Sequence, residues 1–187
     1  MTVIGIDPSF RGCGISNGER HLVVKTEPLD TDANQAAAII RRRREILHEL
    51  ALFINAHPEE GDDIALYLEA PAFGQASQAS HLYELGWLMH GLHCMLEHLT
   101  TGEIVKVVEV STTALRKWAT GKGNTPKDGM KLAVFKRFGV EFDQDPGCDK
   151  LFAFLLCRYG QAVEAGEIDF TVSKLRGQKR RKVAKQP

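Results

Sequence analysis

The chain lacks several features that would assign it to a specialised class of protein. Its 187 residues contain no apolar run close to the roughly 20 residues that a membrane-spanning helix needs. The N-terminus has no basic segment followed by an apolar core, so we expect no secretory signal. The four cysteines are widely spaced and form no Cys-x-x-Cys pair, which is typical of reduced thiols. These absences predict a cytoplasmic protein with no membrane partner.

The chain also lacks net charge, but this balance hides two unequal parts. Residues 173–187 contain seven basic and no acidic side chains, which leaves 17 basic against 24 acidic side chains in residues 1–172. A basic tail on an acidic body indicates binding to a polyanion, most often nucleic acid, although a tail that only aids solubility is the alternative. We predict one domain over residues 1–172 and a flexible tail over residues 173–187.

Two predicted strands end in a carboxylate that is followed closely by proline. Residues 3–6 form a short apolar run, Asp7 follows directly before Pro8, and a Gly-Cys-Gly return leads into the next apolar segment. Residues 63–70 repeat this arrangement and end with Glu69. A carboxylate at the end of a central strand is costly to bury without a partner, which could be a cation, a capped backbone or a metal.

A third group of acids opens the last predicted helix. Pro146 suits the first helical position, which would make Asp145 the N-cap and would place Asp149 one turn further on. Right-handed crossovers would set the strands of Asp7 and Glu69 side by side, with the last helix against their ends. The full order of elements predicts an α/β fold with a mixed five-stranded sheet flanked by helices. Between the acids, periodicity predicts strands over Gly14–Ser16, His21–Thr26 and Ile104–Val110 and helices over Ala33–His57, Gln75–Leu99, Thr112–Ala119 and Lys127–Phe138.

Two other clusters favour structural interpretations. Arg41–Arg44 are consecutive on the first helix, so they point in all directions and are predicted to be solvated rather than to clamp a phosphate. His90, His93, Cys94 and His98 share one stripe of the second helix, a spacing that could bind a transition metal. A packed helix face, against this chain or another subunit, is the favoured interpretation.

Acids gathered at one point would repel each other. At 4 Å and an effective dielectric near 20, each like-charged pair costs about 4 kcal/mol. A divalent ion would relieve this repulsion, and hard oxygen ligands point to magnesium or manganese. Two such ions about 3.5–4 Å apart can activate a water and stabilise the leaving oxygen in phosphodiester hydrolysis.

In this order and spacing, the motifs resemble the RuvC family of Holliday-junction resolvases, within the ribonuclease H-like superfamily; a phage-borne branch is one option. The resemblance runs from residue 3 to about residue 160. Its motifs are Ile4-Gly5-Ile6-Asp7-Pro8 with Gly12-Cys13-Gly14, Leu68-Glu69, Leu82-x-x-Leu85-Gly86, Thr120-Gly121-Lys122-Gly123-Asn124-x-x-Lys127 and the Asp149 helix.

The resemblance implies a homodimeric crossover junction endodeoxyribonuclease with a ribonuclease H-like fold, in a bacterial cytoplasm or in that of a phage host. It would cut four-way DNA junctions with symmetric, magnesium-dependent nicks, using two Mg²⁺ ions that Mn²⁺ could replace. Asp7, Glu69 and Asp149 would be metal ligands, and an acid shortly before Asp149, Asp145 or alternatively Asp143, would be the fourth.

The same resemblance implies a set of DNA contacts. Lys122 and Lys127 would contact the scissile or neighbouring phosphates, with Lys127 also part of the catalytic set. Phe73 would stack on an unpaired base near the junction centre, or would instead belong to the core or the dimer contact. The remaining predicted DNA contacts are Arg11, in the turn after Asp7, and Lys179, Arg180 and Arg181 in the tail.

One departure leaves alternatives open. The family spaces its last two acids three apart, whereas Asp145 and Asp149 are four apart with Pro146 between them, and Lys150 stands where a small residue is common. Asp145 could therefore be only a helix cap. A binding protein that has lost catalysis and a nuclease acting on flaps or replication forks are the alternatives. An actin-like ATPase is disfavoured because the chain is too short for two such halves.

Overall fold

Among the residues that the structure describes, five strands form a single sheet with helices on both faces. The computed structural model describes residues 1–56, 63–70, 79–98, 104–142 and 144–168. The strands follow the order β3-β2-β1-β4-β5 across the sheet, which confirms the predicted mixed α/β architecture. They are β1 Thr2–Asp7, β2 Cys13–Ser16, β3 His21–Val24, β4 Ile64–Glu69 and β5 Ile104–Val110, and the helices are α1 Gln35–Asn55, α2 Ala79–His98, α3 Thr112–Thr120, α4 Lys127–Phe138 and α5 Asp149–Glu164.

The centre of the sheet brings the first two predicted acids to one edge. Strand β1 pairs in parallel with β4, with Ile6 opposite Leu68, and β4 pairs in parallel with β5. Strands β2 and β3 are antiparallel additions on the other side of β1. The carboxyl ends of β1 and β4, which carry Asp7 and Glu69, are therefore neighbours, as the crossover argument predicted.

Strand alternation decides which face these acids share. Even-numbered residues of β1 and β4 pack in the core under α1 and α2, whereas Val3, Ala65 and Tyr67 pack in the core under α3, α4 and α5. Because successive side chains of a strand point to opposite faces, Asp7 and Glu69 belong to the face that α5 covers.

Helix α5 lies very close to the sheet. A Cβ added to Gly5 would collide with the backbone of Ala153 and Cys157, and one added to Gly14 would collide with the carbonyl of Asp149. Ten of the sixteen residues of α5 are buried. The two glycines therefore let the helix pack directly on β1 and β2. The N-terminus of the helix lies at the edge of the sheet that carries Asp7 and Glu69.

The start of α5 differs from the prediction. The helix begins at Asp149 and its N-cap is Cys148, so Pro146 is not the first helical residue and Asp145 is not the N-cap. Residues 145–148 form a turn instead, in which the Cys148 N–H donates to the Asp145 carbonyl at 3.1 Å. Cys148 adopts a left-handed conformation with φ 63°, which returns the chain into the helix.

The arginine run on α1 is not wholly solvated, which corrects the prediction: of the four residues only Arg44 is exposed, and Arg42 is buried. Arg42 is only 5% exposed, and its guanidinium donates to the Thr26 hydroxyl and to the Phe10 carbonyl, both at 3.0 Å. Four consecutive residues cover every side of a helix, so one of them has to point inward. Arg42 thereby ties the segment after β3 to the turn after β1.

Helix α2 packs against α1 around Gly91, whereas His90 and His93 of the predicted stripe are exposed, which does not match the packed face predicted for them within this chain. A Cβ on Gly91 would collide with Arg43 and touch Leu47. His93 bonds to the Met89 carbonyl at 2.7 Å, and Cys94 lies 3.6 Å from a ring nitrogen of His90.

Within the described ranges, no helix is both long and apolar enough to cross a membrane.

Candidate active site

Three of the predicted acids meet at one edge of the sheet. Asp7 ends β1, Glu69 ends the adjacent parallel strand β4, and Asp149 is the first residue of α5. The carboxyl groups of Asp7 and Glu69 lie within hydrogen-bonding reach, and the charge of Asp149 also acts on Asp7. Residues separated by up to 142 positions in the chain therefore share one small volume.

The charge of this cluster is not compensated. Burial raises the pKa of Asp7 well above its ordinary value, and the charge of Glu69, the hydrogen bond between the two side chains and the charge of Asp149 raise it further. Burial and then Asp145 also raise the pKa of Asp149. Lys127 opposes both shifts without cancelling them. The site therefore disfavours the ionised forms of Asp7 and Asp149.

Glu69 is oriented by a residue that the sequence argument did not identify. The hydroxyl of Thr112, the first residue of α3, donates to Glu69 Oε1. Thr112 follows β5, the strand next to β4. This position, just beyond the end of a neighbouring strand, is the feature of the sequence that could have identified Thr112 as a partner of Glu69. One oxygen of Glu69 is thus held by a neutral donor.

The carboxylate of Asp149 is enclosed in space by two glycines from different turns. A Cβ on Gly12 or on Gly147 would collide with its carboxylate, so the Gly-Cys-Gly return after β1 and the turn before α5 both make room for it. Lys127, on α4, donates from Nζ to the Gly147 carbonyl at 2.6 Å and so lies beside this acid. Between the glycines of the return, burial raises the pKa of the Cys13 thiol to about 12, which keeps it neutral near pH 7.

Asp145 caps α5 through its side chain even though it precedes the N-cap residue. It is 5% exposed, and its two oxygens accept the N–H groups of Asp149 at 3.1 Å and of Leu151 at 3.0 Å. These are two of the N–H groups that lack partners at a helix start. This geometry supports the capping alternative, and a metal-ligand role for Asp145 remains a prediction.

A basic surface adjoins the acids. The hairpin of α3 and α4, residues 111–138, contains seven basic side chains and a single acidic one. Lys122 is exposed in its loop, and Lys127 reaches the turn before Asp149. Arg11 is exposed in the turn between β1 and β2. The predicted contacts Phe73, Lys179, Arg180 and Arg181 lie outside the described residues.

The donor chemistry of the cluster suits a hard divalent cation. Asp7, Glu69 and Asp149 offer only carboxylate oxygens, which magnesium and manganese prefer. Nevertheless, no three His, Cys, Asp or Glu side chains among the residues that the structure describes have the mutual geometry of a metal site as they stand. Asp7, Glu69 and Asp149 suit a divalent cation by their chemistry and proximity, but their side chains would have to turn before they could share one ion.

The sheet order, the layering and the strand-end acids define a ribonuclease H-like α/β fold, and comparison with solved structures supports this. A structure of RuvC from Thermus thermophilus matches with a TM-score of 0.59 at 21% identity, covering 89% of this chain and 97% of that one. T. thermophilus RuvC in complex with a Holliday junction substrate matches with a TM-score of 0.58 at 20% identity, covering 84% and 90%.

These neighbours show that the chain has a RuvC-like fold. They provide no support for a phage-borne branch. No family model and no curated protein sequence matches the chain.

Proposed function

We propose that this protein is a structure-selective endodeoxyribonuclease that resolves four-way DNA junctions by metal-dependent phosphodiester hydrolysis. The observation that carries the proposal is the meeting of Asp7, Glu69 and Asp149, with raised pKa values for Asp7 and Asp149, at the edge of a RuvC-like sheet. A purely structural cluster would be expected to include its own counter-charges, because uncompensated buried acids destabilise a fold.

In this proposal Asp7, Glu69 and Asp149 hold two magnesium ions, which manganese could replace, and Asp145 is the fourth acid. Such ions, when bound, lower the pKa of a water and stabilise the leaving oxygen of a phosphodiester. The chain itself supplies the positioning. Thr112 orients Glu69, and Asp145 fixes the first turn of α5 and with it Asp149.

The DNA would lie across the acids and the basic hairpin of α3 and α4. Lys127 would place its charge beside the scissile phosphate, and Lys122 and Arg11 would contact neighbouring phosphates from exposed turns. Phe73 would stack on an unpaired base, and Lys179, Arg180 and Arg181 would extend the contact through the tail. Paired cuts across a symmetric junction need two such sites, so we propose a homodimer.

The test is cleavage of a synthetic four-way junction labelled on two strands. We expect paired, symmetric nicks that require magnesium or manganese, and we expect Asp7→Asn to reduce the rate by at least about 10²-fold, the scale of one lost electrostatic contact to a transition state. Asp63→Asn is the matched control, because Asp63 is an exposed aspartate at the opposite end of the same sheet.

Two outcomes would contradict the proposal. Cleavage by Asp7→Asn at the wild-type rate would show that the acidic cluster takes no part in the reaction. Nicks on flaps or forks, with none on junctions, would assign the chain to a different nuclease activity.

The second candidate is a branched-DNA-binding protein that is weakly active or inactive. The observation that favours it is the geometry of the acids: both oxygens of Asp145 accept backbone N–H groups, and no three described acids form a ready metal site. Tight junction binding by the wild-type chain, with no nicking in magnesium or manganese, would decide for this candidate.

A further inference from the structure

A pocket of about 310 Å³ lies beside Asp149, toward the edge strand β3. Its walls come from β3, from the turn before α5 and from the first turn of α5. This volume is at the lower end of the range for small-molecule sites, roughly 300–1,000 Å³, and would accommodate one nucleotide unit. The residues that line it are His21, Leu22, Val23, Lys25, Gln144, Asp145, Pro146, Gly147, Asp149 and Lys150.

One wall of this pocket is held rigidly. A nitrogen of the His21 ring lies 2.9 Å from the Ser16 hydroxyl, and the ring packs edge-on at 5.3 Å from Phe142 and 5.5 Å from Phe154. Burial, followed by the charges of Lys150 and Arg158, lowers the pKa of His21, so the ring is neutral at pH 7. The histidine therefore shapes the pocket without adding charge to it.

Four charged residues line this pocket, two lysines and two aspartates. Lys25 is exposed directly after β3, and Lys150 is the second residue of α5. Among the described residues neither lysine forms a salt bridge. Of the two acids that line the pocket, Asp145 is engaged with backbone N–H groups and Asp149 belongs to the acidic cluster.

A DNA strand that crosses the acidic cluster needs cations along its path, because the carboxyls repel every phosphate except one bridged by metal. The basic hairpin of α3 and α4 supplies some of these cations. Lys25 and Asp149 line the same pocket, so a strand leaving the acids toward β3 would pass Lys25.

We infer that this pocket binds the phosphodiester next to the scissile one, and that Lys25 and Lys150 hold it. The inference rests on the proposed function and adds a specific subsite to it. Lysine is a suitable residue here because its ammonium group is a flexible point charge that can follow a phosphate.

The experiment measures equilibrium binding of a synthetic four-way junction as a function of salt concentration. The full-length Asp7→Asn chain serves as parent, so that the junction stays intact. Lys25→Ala, Lys150→Ala and the double variant are compared with Arg44→Ala, which removes an exposed positive charge from α1 on the other face of the sheet. We expect the log–log salt slope to fall by about 0.9 for each lost contact on duplex DNA, or about 0.7 on a single strand, and to stay unchanged in Arg44→Ala.

The outcomes separate the subsite from the proposed function. If the parent binds the junction and the double variant keeps the parental slope, the subsite is wrong and the proposed function stands. If the lysines act only as counter-ions of Asp149, the corresponding double variant of the wild-type chain will bind magnesium differently while the salt slope of junction binding stays unchanged, and this also overturns the subsite. If the parent does not bind the junction at all, both proposals fail.

Discussion

The two ends of helix α5 each carry a carboxylate, and their pKa values shift in opposite directions. At the N-terminus, burial and Asp145 raise the pKa of Asp149. At the C-terminus, burial raises the pKa of Glu164, but hydrogen bonds from Lys106 at 2.8 Å and from the Tyr67 hydroxyl outweigh it, so the pKa is lowered overall. The helix dipole would favour the opposite result, since it stabilises negative charge at the N-terminus.

The difference between the two ends lies in their neighbours. Glu164 is surrounded by donors of this chain, so its charge is satisfied within the fold. Asp149 lies near Asp145 and Asp7, and the charges of Lys127 and Lys25 offset the rise in its pKa only in part. An acid that the fold leaves uncompensated is suited to a cation from outside, whereas a compensated acid is suited to holding the fold together.

The largest expected difference between the two ends of α5 is in how much their carboxylates contribute to stabilisation of the fold by magnesium. Magnesium at about 100 times its Kd should stabilise the wild-type chain by about 2.7 kcal/mol, because it binds only the folded state. Asp149→Asn should lose this gain, whereas Glu164→Gln should keep it. Thermal unfolding with and without magnesium measures both. Equal gains in the two variants would show that the ion binds elsewhere.

The next effect is the pH dependence of the metal-free protein. The folded-state pKa of Asp7 lies above its ordinary value of 3.8, so the folded chain binds more protons than the unfolded chain in the window between the two values. Stability should therefore fall as pH rises from about 4 through the folded pKa, by about 1.4 kcal/mol for each unit of separation.

Asp7→Asn should flatten this dependence and should make the metal-free chain more stable than wild type at pH 7. Urea unfolding in a chelator across this pH range measures it, with Asp63→Asn as the control. A variant with the wild-type pH profile would show that the acids do not repel each other as described.

A smaller effect concerns Asp145. Asp145→Asn keeps the shape but leaves one oxygen to accept two N–H groups, so we expect a loss of about 1 kcal/mol in the free energy of unfolding. If Asp145 acts only as a cap, junction cleavage should fall much less than in Asp7→Asn. Unchanged stability would refute the cap, and cleavage as low as in Asp7→Asn would identify Asp145 as the fourth ligand.

The smallest effect is expected at the compensated end of α5. Glu164→Gln should cost about 0.5–1 kcal/mol of stability, because Lys106 is partly exposed and loses an ion pair that water screens. Junction cleavage should stay unchanged. Chemical unfolding and the cleavage assay measure the two quantities, with the exposed Glu167→Gln as control. A large loss of cleavage would mean that the two ends of α5 are not independent.

Local patterns predicted most of the framework. The helices predicted over Thr112–Ala119 and Lys127–Phe138 are present as α3 and α4; Ser111 caps α3 by accepting the Ala114 N–H at 3.2 Å, and Gly139 follows α4 in the left-handed conformation. These features depend on residues within one or two turns of each other, so a single chain segment contains the information. The adjacency of Asp7 and Glu69 was predictable for a different reason: although the two residues are far apart in the chain, parallel pairing follows from the order of strands and crossovers.

The order of elements, the sheet and the approximate position of three acids follow from the amino-acid sequence alone. Three features required the folded chain: the hydrogen bond from Thr112 to Glu69, the enclosure of Asp149 by Gly12 and Gly147, and the start of α5 at Asp149 rather than at Pro146. The contacts of Thr112 with Glu69 and of Gly12 with Asp149 join segments far apart in the chain, and they depend on how closely α5 approaches the sheet over Gly5 and Gly14. That distance is set by packing between whole elements, which no local pattern encodes.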